Sequence, residues 1–144
     1  MDDLTPGADA AAAHPRLGGA PEQRRAFDDY ARAFSAADLD RAGGYYTDDI
    51  VCQVAGMVFE GKAALVGFYR EMFKRVRERL TLHQLVADEH GMVADITSTF
   101  TAVEDASDFA PMPLKTGEVR EAKVFVFYTL RDGLIARIRV ARQP

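Results

Sequence analysis

The chain contains no tryptophan, one cysteine and only three histidines among its 144 residues. The lone thiol, Cys52, excludes an internal disulfide and any cysteine-based zinc cluster. His14 falls in an N-terminal stretch and His90 in a turn, too far from other candidates to suggest a site, so no metal is expected. Basic residues are also short: 18 lysines and arginines stand against 22 acids, a net charge of −4. That balance argues against a nucleic-acid backbone or an anionic membrane as the main partner. No apolar run approaches the roughly 20 residues of a membrane-spanning helix. Met1-Asp2-Asp3 is acidic where a secretory leader would be basic, and Ala10 to Ala13 is too short for a leader's apolar core. A cytoplasmic protein is therefore expected. What the chain has is apolar content, 48% of its residues, enough for the core of one domain.

Residues 1–20 carry Gly7, Gly18, Gly19, Pro6 and Pro15 among alanines, with no periodic apolar face. They read as a flexible tail contributing little to stability, leaving 21–144 as a single domain. Pro21 suits the first turn of a helix, where its missing N–H costs nothing. Phe27, Tyr30, Ala31 and Phe34 then recur at helical spacing. A short second helix is expected from the N-cap Asp38, weakened by Gly43-Gly44. A third is expected from Lys62 to Glu78, with Leu65, Phe68, Tyr69, Met72, Phe73 and Val76 on its buried side.

The remainder reads as strands over 49–54, 57–60, 80–88, 92–103, 119–130 and 134–141, with a hairpin signal at Arg131-Asp132-Gly133. The acidic, proline-containing stretch from Glu104 to Gly117 is long for a connection and is a candidate lid. Along 124–130, Val124, Val126, Tyr128 and Leu130 alternate with Phe125, Phe127 and Thr129. Both faces are apolar, so both need cover. Helices cover one and a second copy of the chain would cover the other, predicting a homodimer through Ile96, Phe100, Phe125 and Phe127. The fold class is α+β: about six antiparallel strands curled around three helices.

The order of elements resembles the nuclear transport factor 2-like superfamily, in particular its SnoaL-like and ketosteroid-isomerase-like branches. The resemblance spans residues 24–142 and rests on four segments: Tyr30 to Asp40, Tyr46-Thr47-Asp48-Asp49, Glu60-Gly61-Lys62-Ala63-Ala64 leading to Gly67-Phe68-Tyr69-Arg70, and Arg131-Asp132-Gly133-Leu134-Ile135. It implies a cone-shaped, barrel-like sheet whose open end receives a small molecule, without cofactor. In ketosteroid isomerases a tyrosine on the first helix, supported by two others, holds the developing enolate; Tyr30, Tyr46 and Tyr69 match them. The two acids of that mechanism are matched by Val54 and Val126, so steroid isomerisation by that route is not expected. The Arg-x-Asp pair of limonene epoxide hydrolases falls at Thr97 and Thr99, so their chemistry is not expected either.

The same resemblance turns Asp95, Thr97 and Thr99 toward the cavity and Ala94, Ile96, Ser98 and Phe100 outward. The expected ligand-binding residues are Phe34, Tyr46, Phe68, Tyr69, Met72, Thr97, Thr99, Val126, Tyr128, Ile138 and Val140. Such walls suit a small, largely apolar, ring-containing ligand. Three residues are candidates for catalysis: Tyr30 as donor to a ligand oxygen, and Asp95 or His83 as proton carrier. His83 could face either way, since Leu82, Leu85 and Val86 do not alternate cleanly. Cys52 is expected to be a buried, inert thiol. Arg137 and Arg139 take the outer face, and Arg142 lies near the mouth, where it could meet a ligand carboxylate or remain solvated. Two functions stand open. One is a cofactor-free isomerase, cyclase or dehydratase. The other is a non-catalytic ligand-binding or dimeric interaction module.

Overall fold

The structure is a computed structural model that describes residues 21–109 and 111–144. The expected tail over 1–20 lies outside the described residues. Helix α1 (Pro21–Ser35) opens on proline and buries Phe27, Tyr30, Ala31, Ala33 and Phe34. Its end is closed by the Asp38 N–H reaching the Ala33 carbonyl (2.8 Å) and the Ala37 N–H reaching that of Phe34 (3.0 Å). Ala37 takes the left-handed conformation that this closure needs, at φ 60°. Asp38 then caps α2 (Leu39–Gly43), its carboxylate accepting from the Arg41 N–H at 3.2 Å. One aspartate thus ends one helix and starts the next.

Strands β1 (Tyr46–Val54) and β2 (Met57–Glu60) form a hairpin around Ala55-Gly56. Both turn residues have positive φ, the conformation a two-residue hairpin loop requires. Helix α3 (Lys62–Met72) follows, then β3 (Val76–Ala87), β4 (Gly91–Ala102), β5 (Val119–Arg131) and β6 (Leu134–Arg142). The helix expected to run to Glu78 stops at Met72, six residues early. Val76 sits at helical spacing from Met72 and Phe73, which extended the apparent helix. From Val76 onward the period changes to two, and each residue from Val76, opposite Ala102, to Leu82, opposite Ile96, pairs with β4.

Among the described residues, the three helices and six strands bear out the α+β reading, with one change. The strand order is β2-β1-β6-β5-β4-β3, and β1 runs parallel to β6. The sheet is therefore mixed, and it curls without closing into a barrel. A bulge at His83 interrupts the β3–β4 register. The Asp132-Gly133 turn joins β5 to β6 as its sequence signals, both residues at positive φ.

The concave face carries Ala94, Ile96, Ser98 and Phe100 of β4, all buried. Direct cross-strand partners share a face, and Ala94 pairs with Val126 while Ile96 pairs with Val124. This reverses the face expected from the sequence. Asp95, Thr97 and Thr99 lie on the convex side, opposite Phe125, Lys123 and Glu121. Ile96 and Phe100 are accordingly withdrawn from the outer face, where Phe125 and Phe127 remain.

Gly91 shows how tightly β4 and β5 meet. A Cβ there would stand 2.9 Å from the Tyr128 carbonyl oxygen, a backbone atom with little room to move. Gly91→Ala should cost about 1–3 kcal/mol of stability, read by urea denaturation. An unchanged midpoint would mean that the two strands separate there without penalty.

Candidate functional site

The curled sheet, α1 and α3 enclose a cavity of about 890 Å³. Its walls include Tyr30 and Phe34 of α1, Phe68, Tyr69 and Met72 of α3, and Ile96, Val126, Tyr128, Ile138 and Val140 of the sheet. The lid expected at 104–117 contributes Glu104, Asp108, Phe109 and Pro111, and Phe109 packs edge-on against Phe100 at 5.3 Å.

The polar interior is small. Tyr30 and Tyr46 share a hydrogen bond of 2.8 Å between their hydroxyls. Tyr46 does not line the cavity; it is buried behind Tyr30 as its support. Burial, as the largest cause, raises the hydroxyl pKa of Tyr30, Tyr46, Tyr69 and Tyr128, so all four stay protonated and able to donate. The Cys52 thiol is pushed up to about 12 by burial and by the nearby Glu78 charge, which makes it inert at neutral pH.

Glu78 is the residue that sequence reasoning missed. It stands on β3 opposite Phe100, and both line the cavity. Burial pushes its carboxyl up to about 7, with a Ser98 hydroxyl hydrogen bond acting in the opposite direction. Its charge reaches Tyr46, Tyr69, Tyr128 and Cys52, raising the pKa of each. The signal was present in Val76-Arg77-Glu78-Arg79-Leu80-Thr81-Leu82, where a strand reading places Glu78 in step with Val76, Leu80 and Leu82. A carboxylate on the apolar side of an alternating strand marks a buried acid. Assigning this segment to a helix erased that alternation.

The residues expected to move a proton are elsewhere. Asp95 faces outward, where its Oδ1 accepts from the Gln143 amide at 2.7 Å. His83, at the β3 bulge, turns its Nε2 to the Thr97 hydroxyl at 2.7 Å on the same convex face. Thr97 and Thr99 are likewise outside the cavity lining. The reason is the β4 register, which gives the concave side to the apolar set. Tyr30, Phe34, Phe68, Tyr69, Met72, Val126, Tyr128, Ile138 and Val140 all line the cavity. Among the described residues no cluster of three or more histidine, cysteine or acidic groups is arranged to hold a metal ion.

Among the described residues, three helices and a curled sheet form an α+β cone around this cavity, the fold of the nuclear transport factor 2-like superfamily. Within it, residues 27–138 match the SnoaL-like domain, and the chain belongs to that family. Its fold is similar to a proposed polyketide cyclase from Pseudomonas putida, at 23% identity over 84% of this chain and 91% of that one, with a TM-score of 0.70. A SnoaL-like polyketide cyclase from Agrobacterium tumefaciens is similar at 17% identity over 84% and 91%, TM-score 0.66. An epoxide hydrolase of the limonene-epoxide-hydrolase-like type from M. tuberculosis is similar at 20% identity over 85% and 83%, TM-score 0.68. No curated protein sequence gives a significant match. Among the described residues, no helix is long and apolar enough to cross a membrane.

The raised carboxyl makes a stability prediction. Glu78 titrates near 7 in the folded chain and near its ordinary 4.5 when unfolded. The folded state therefore holds the extra proton between these values, and its advantage is lost as pH rises through about 7. Glu78→Gln should gain stability relative to the parent chain by up to about 3 kcal/mol more at pH 8 than at pH 4.5. Urea denaturation of both proteins at the two pH values measures this. A pH-independent difference would place Glu78 in ordinary solvent.

Proposed function

We propose that the chain is a cofactor-free acid–base enzyme, of the isomerase, cyclase or dehydratase kind. Its ligand is a small, largely apolar, ring-containing molecule with a carbonyl group. The observation that carries this reading is Glu78, a single carboxyl titrating near neutrality within a predominantly apolar, aromatic cavity. At pH 7 such a group is present in both protonation states, as a proton carrier must be. The carboxylate removes a proton from the carbon beside the ligand carbonyl, and the electron pair moves onto the oxygen. Tyr30 donates to that oxygen while Tyr46 donates to Tyr30, so the hydroxyl pair still has one proton to offer. The proton on Glu78 then returns to carbon, at the same or a different position. The tyrosines are protonated donors and poor bases, which leaves Glu78 to move the proton.

The test uses 2-tetralone, a bicyclic ketone, in deuterated buffer with proton NMR. The parent chain should accelerate exchange of the protons beside the carbonyl. Glu78→Gln should lose about 10²–10⁴ of that acceleration while still binding the ketone. Binding without any exchange by the parent chain would overturn the enzyme reading in favour of a non-catalytic binding module. Full exchange by Glu78→Gln would overturn the role of the carboxyl.

A homodimer is part of the same reading, in a cytoplasmic setting compatible with one free thiol. Support comes from the convex face of β5, where Phe125 and Phe127 remain 36% and 37% exposed. The Arg139 guanidinium lies 5.3 Å above the Phe127 ring and extends this face onto β6. Sedimentation at micromolar concentration should give twice the chain mass of 15.9 kDa. Phe127→Glu should shift the population to the single chain, because it places charges on the patch that closes. A parent chain that sediments at its own mass would exclude the dimer.

A further inference from the structure

Arg142 is a cation on the cavity wall with no acid to answer it. It closes β6 directly opposite Val124, so its side chain shares the concave face with Val124, and both line the cavity. The other basic residues of the lining are engaged. Lys74 Nζ lies 3.0 Å from Glu71 Oε2, and the Arg75 guanidinium lies 2.7 Å from Asp108, with the Glu104 charge also acting on it. The side chain of Arg142, an exposed residue at the rim of the cavity, has no hydrogen bond or ion pair among the described residues. The remaining acid of the lining, Glu78, belongs to β3, three strand steps away across β5 and β4. Three steps amount to roughly 14 Å across the strands, and the row of Arg142 meets β3 at Leu82, four residues along from Glu78.

This separation gives the cavity a direction. A ligand anion beside Glu78 would meet a like charge once that carboxyl ionises, whereas beside Arg142 it meets an unmatched cation. Between the two groups the wall is mostly apolar, formed by Val124, Ala122, Ile96 and Leu80, with the Ser98 hydroxyl beside Glu78. A molecule satisfying all three zones has a ring system in the middle, a neutral reacting end at Glu78 and an anionic group at the opposite end. We propose that Arg142 docks a carboxylate carried by the ligand, so that the cavity takes ring-bearing carboxylic acids in one fixed orientation. The assignment of the reacting end rests on the acid–base reading of Glu78; the anion preference does not depend on it.

The experiment displaces a neutral fluorescent reporter, N-phenyl-1-naphthylamine, with 2-naphthoate or with its uncharged counterpart 2-naphthamide. Three proteins are compared: the parent chain, Arg142→Gln, and Arg79→Gln as a control on the convex face of β3. The parent chain and Arg79→Gln should prefer the carboxylate, and Arg142→Gln should weaken 2-naphthoate on the order of tenfold. The amide should change less than about twofold, and added salt should shrink the carboxylate preference. Equal affinity of the two competitors for the parent chain, or a preference that survives Arg142→Gln, overturns the inference. If the reporter and both competitors fail to bind, the cavity reading falls with it. Ketone exchange that depends on Glu78, together with no carboxylate preference, overturns the Arg142 assignment alone.

Discussion

A row of aromatic rings on one helix keeps the concave side of the sheet open. Phe27, Tyr30 and Phe34 project from α1 onto the sheet. Tyr30 alone is within ring-contact range of Phe27, Phe34, Tyr45, Tyr46 and Tyr128. These rings fill one end of the curl and hold it at a fixed width, since tilted and edge-on rings tolerate little displacement. Phe34 passes the contact on to Tyr69 and Phe73, which ties α3 to the same column. The volume that the rings do not fill is the cavity. Filling and emptiness are two outcomes of one packing arrangement.

The sequence revealed the elements whose signals are local. Pro21 marked the start of α1, Asp38 the cap of α2, and Asp132-Gly133 the last hairpin. Two features depended on distant partners and were misread. Along β4, polar Asp95, Thr97 and Thr99 alternate with Ile96, Ser98 and Phe100, and neither stripe declares which side is concave. Its pairing to β5 decides, through Ala94 opposite Val126. Val126 and Tyr128 read as inward from the sequence, and the β4–β5 register carries Ala94 and Met92 to the same side. In β3 the error was of period. Val76 continued the helical stripe of α3 by chance, and Glu78 was absorbed into a helix end among basic residues. Much of the apolar wall was legible; the half-buried acid on β3 was not.

The absence of acids at positions 54 and 126 takes on a different meaning beside Glu78. Valines there keep two walls apolar, and burial rather than a neighbouring charge shifts the carboxyl on a third strand. An isolated carboxyl in such surroundings holds its proton to higher pH because its ion is poorly solvated. Ser98 moderates the effect by hydrogen bonding to the carboxylate. Cavity polarity and the titration of Glu78 are set by the same side chains, so a substitution that adds polar surface to the wall also lowers the pKa.

The open sheet ends on β2 and β3, and each is poorly suited to recruiting another strand. β2 is only four residues long, and β3 carries the irregularity at His83 with Arg77 and Arg79 flanking its first half. Short length, a break in the ladder and clustered cations are the features by which natural sheets discourage lateral growth. An incoming chain would have to pair with an interrupted row of amides while facing fixed positive charge. Extension of the sheet from molecule to molecule is thereby blocked at both margins. The curl can stay unclosed without becoming a template for fibres.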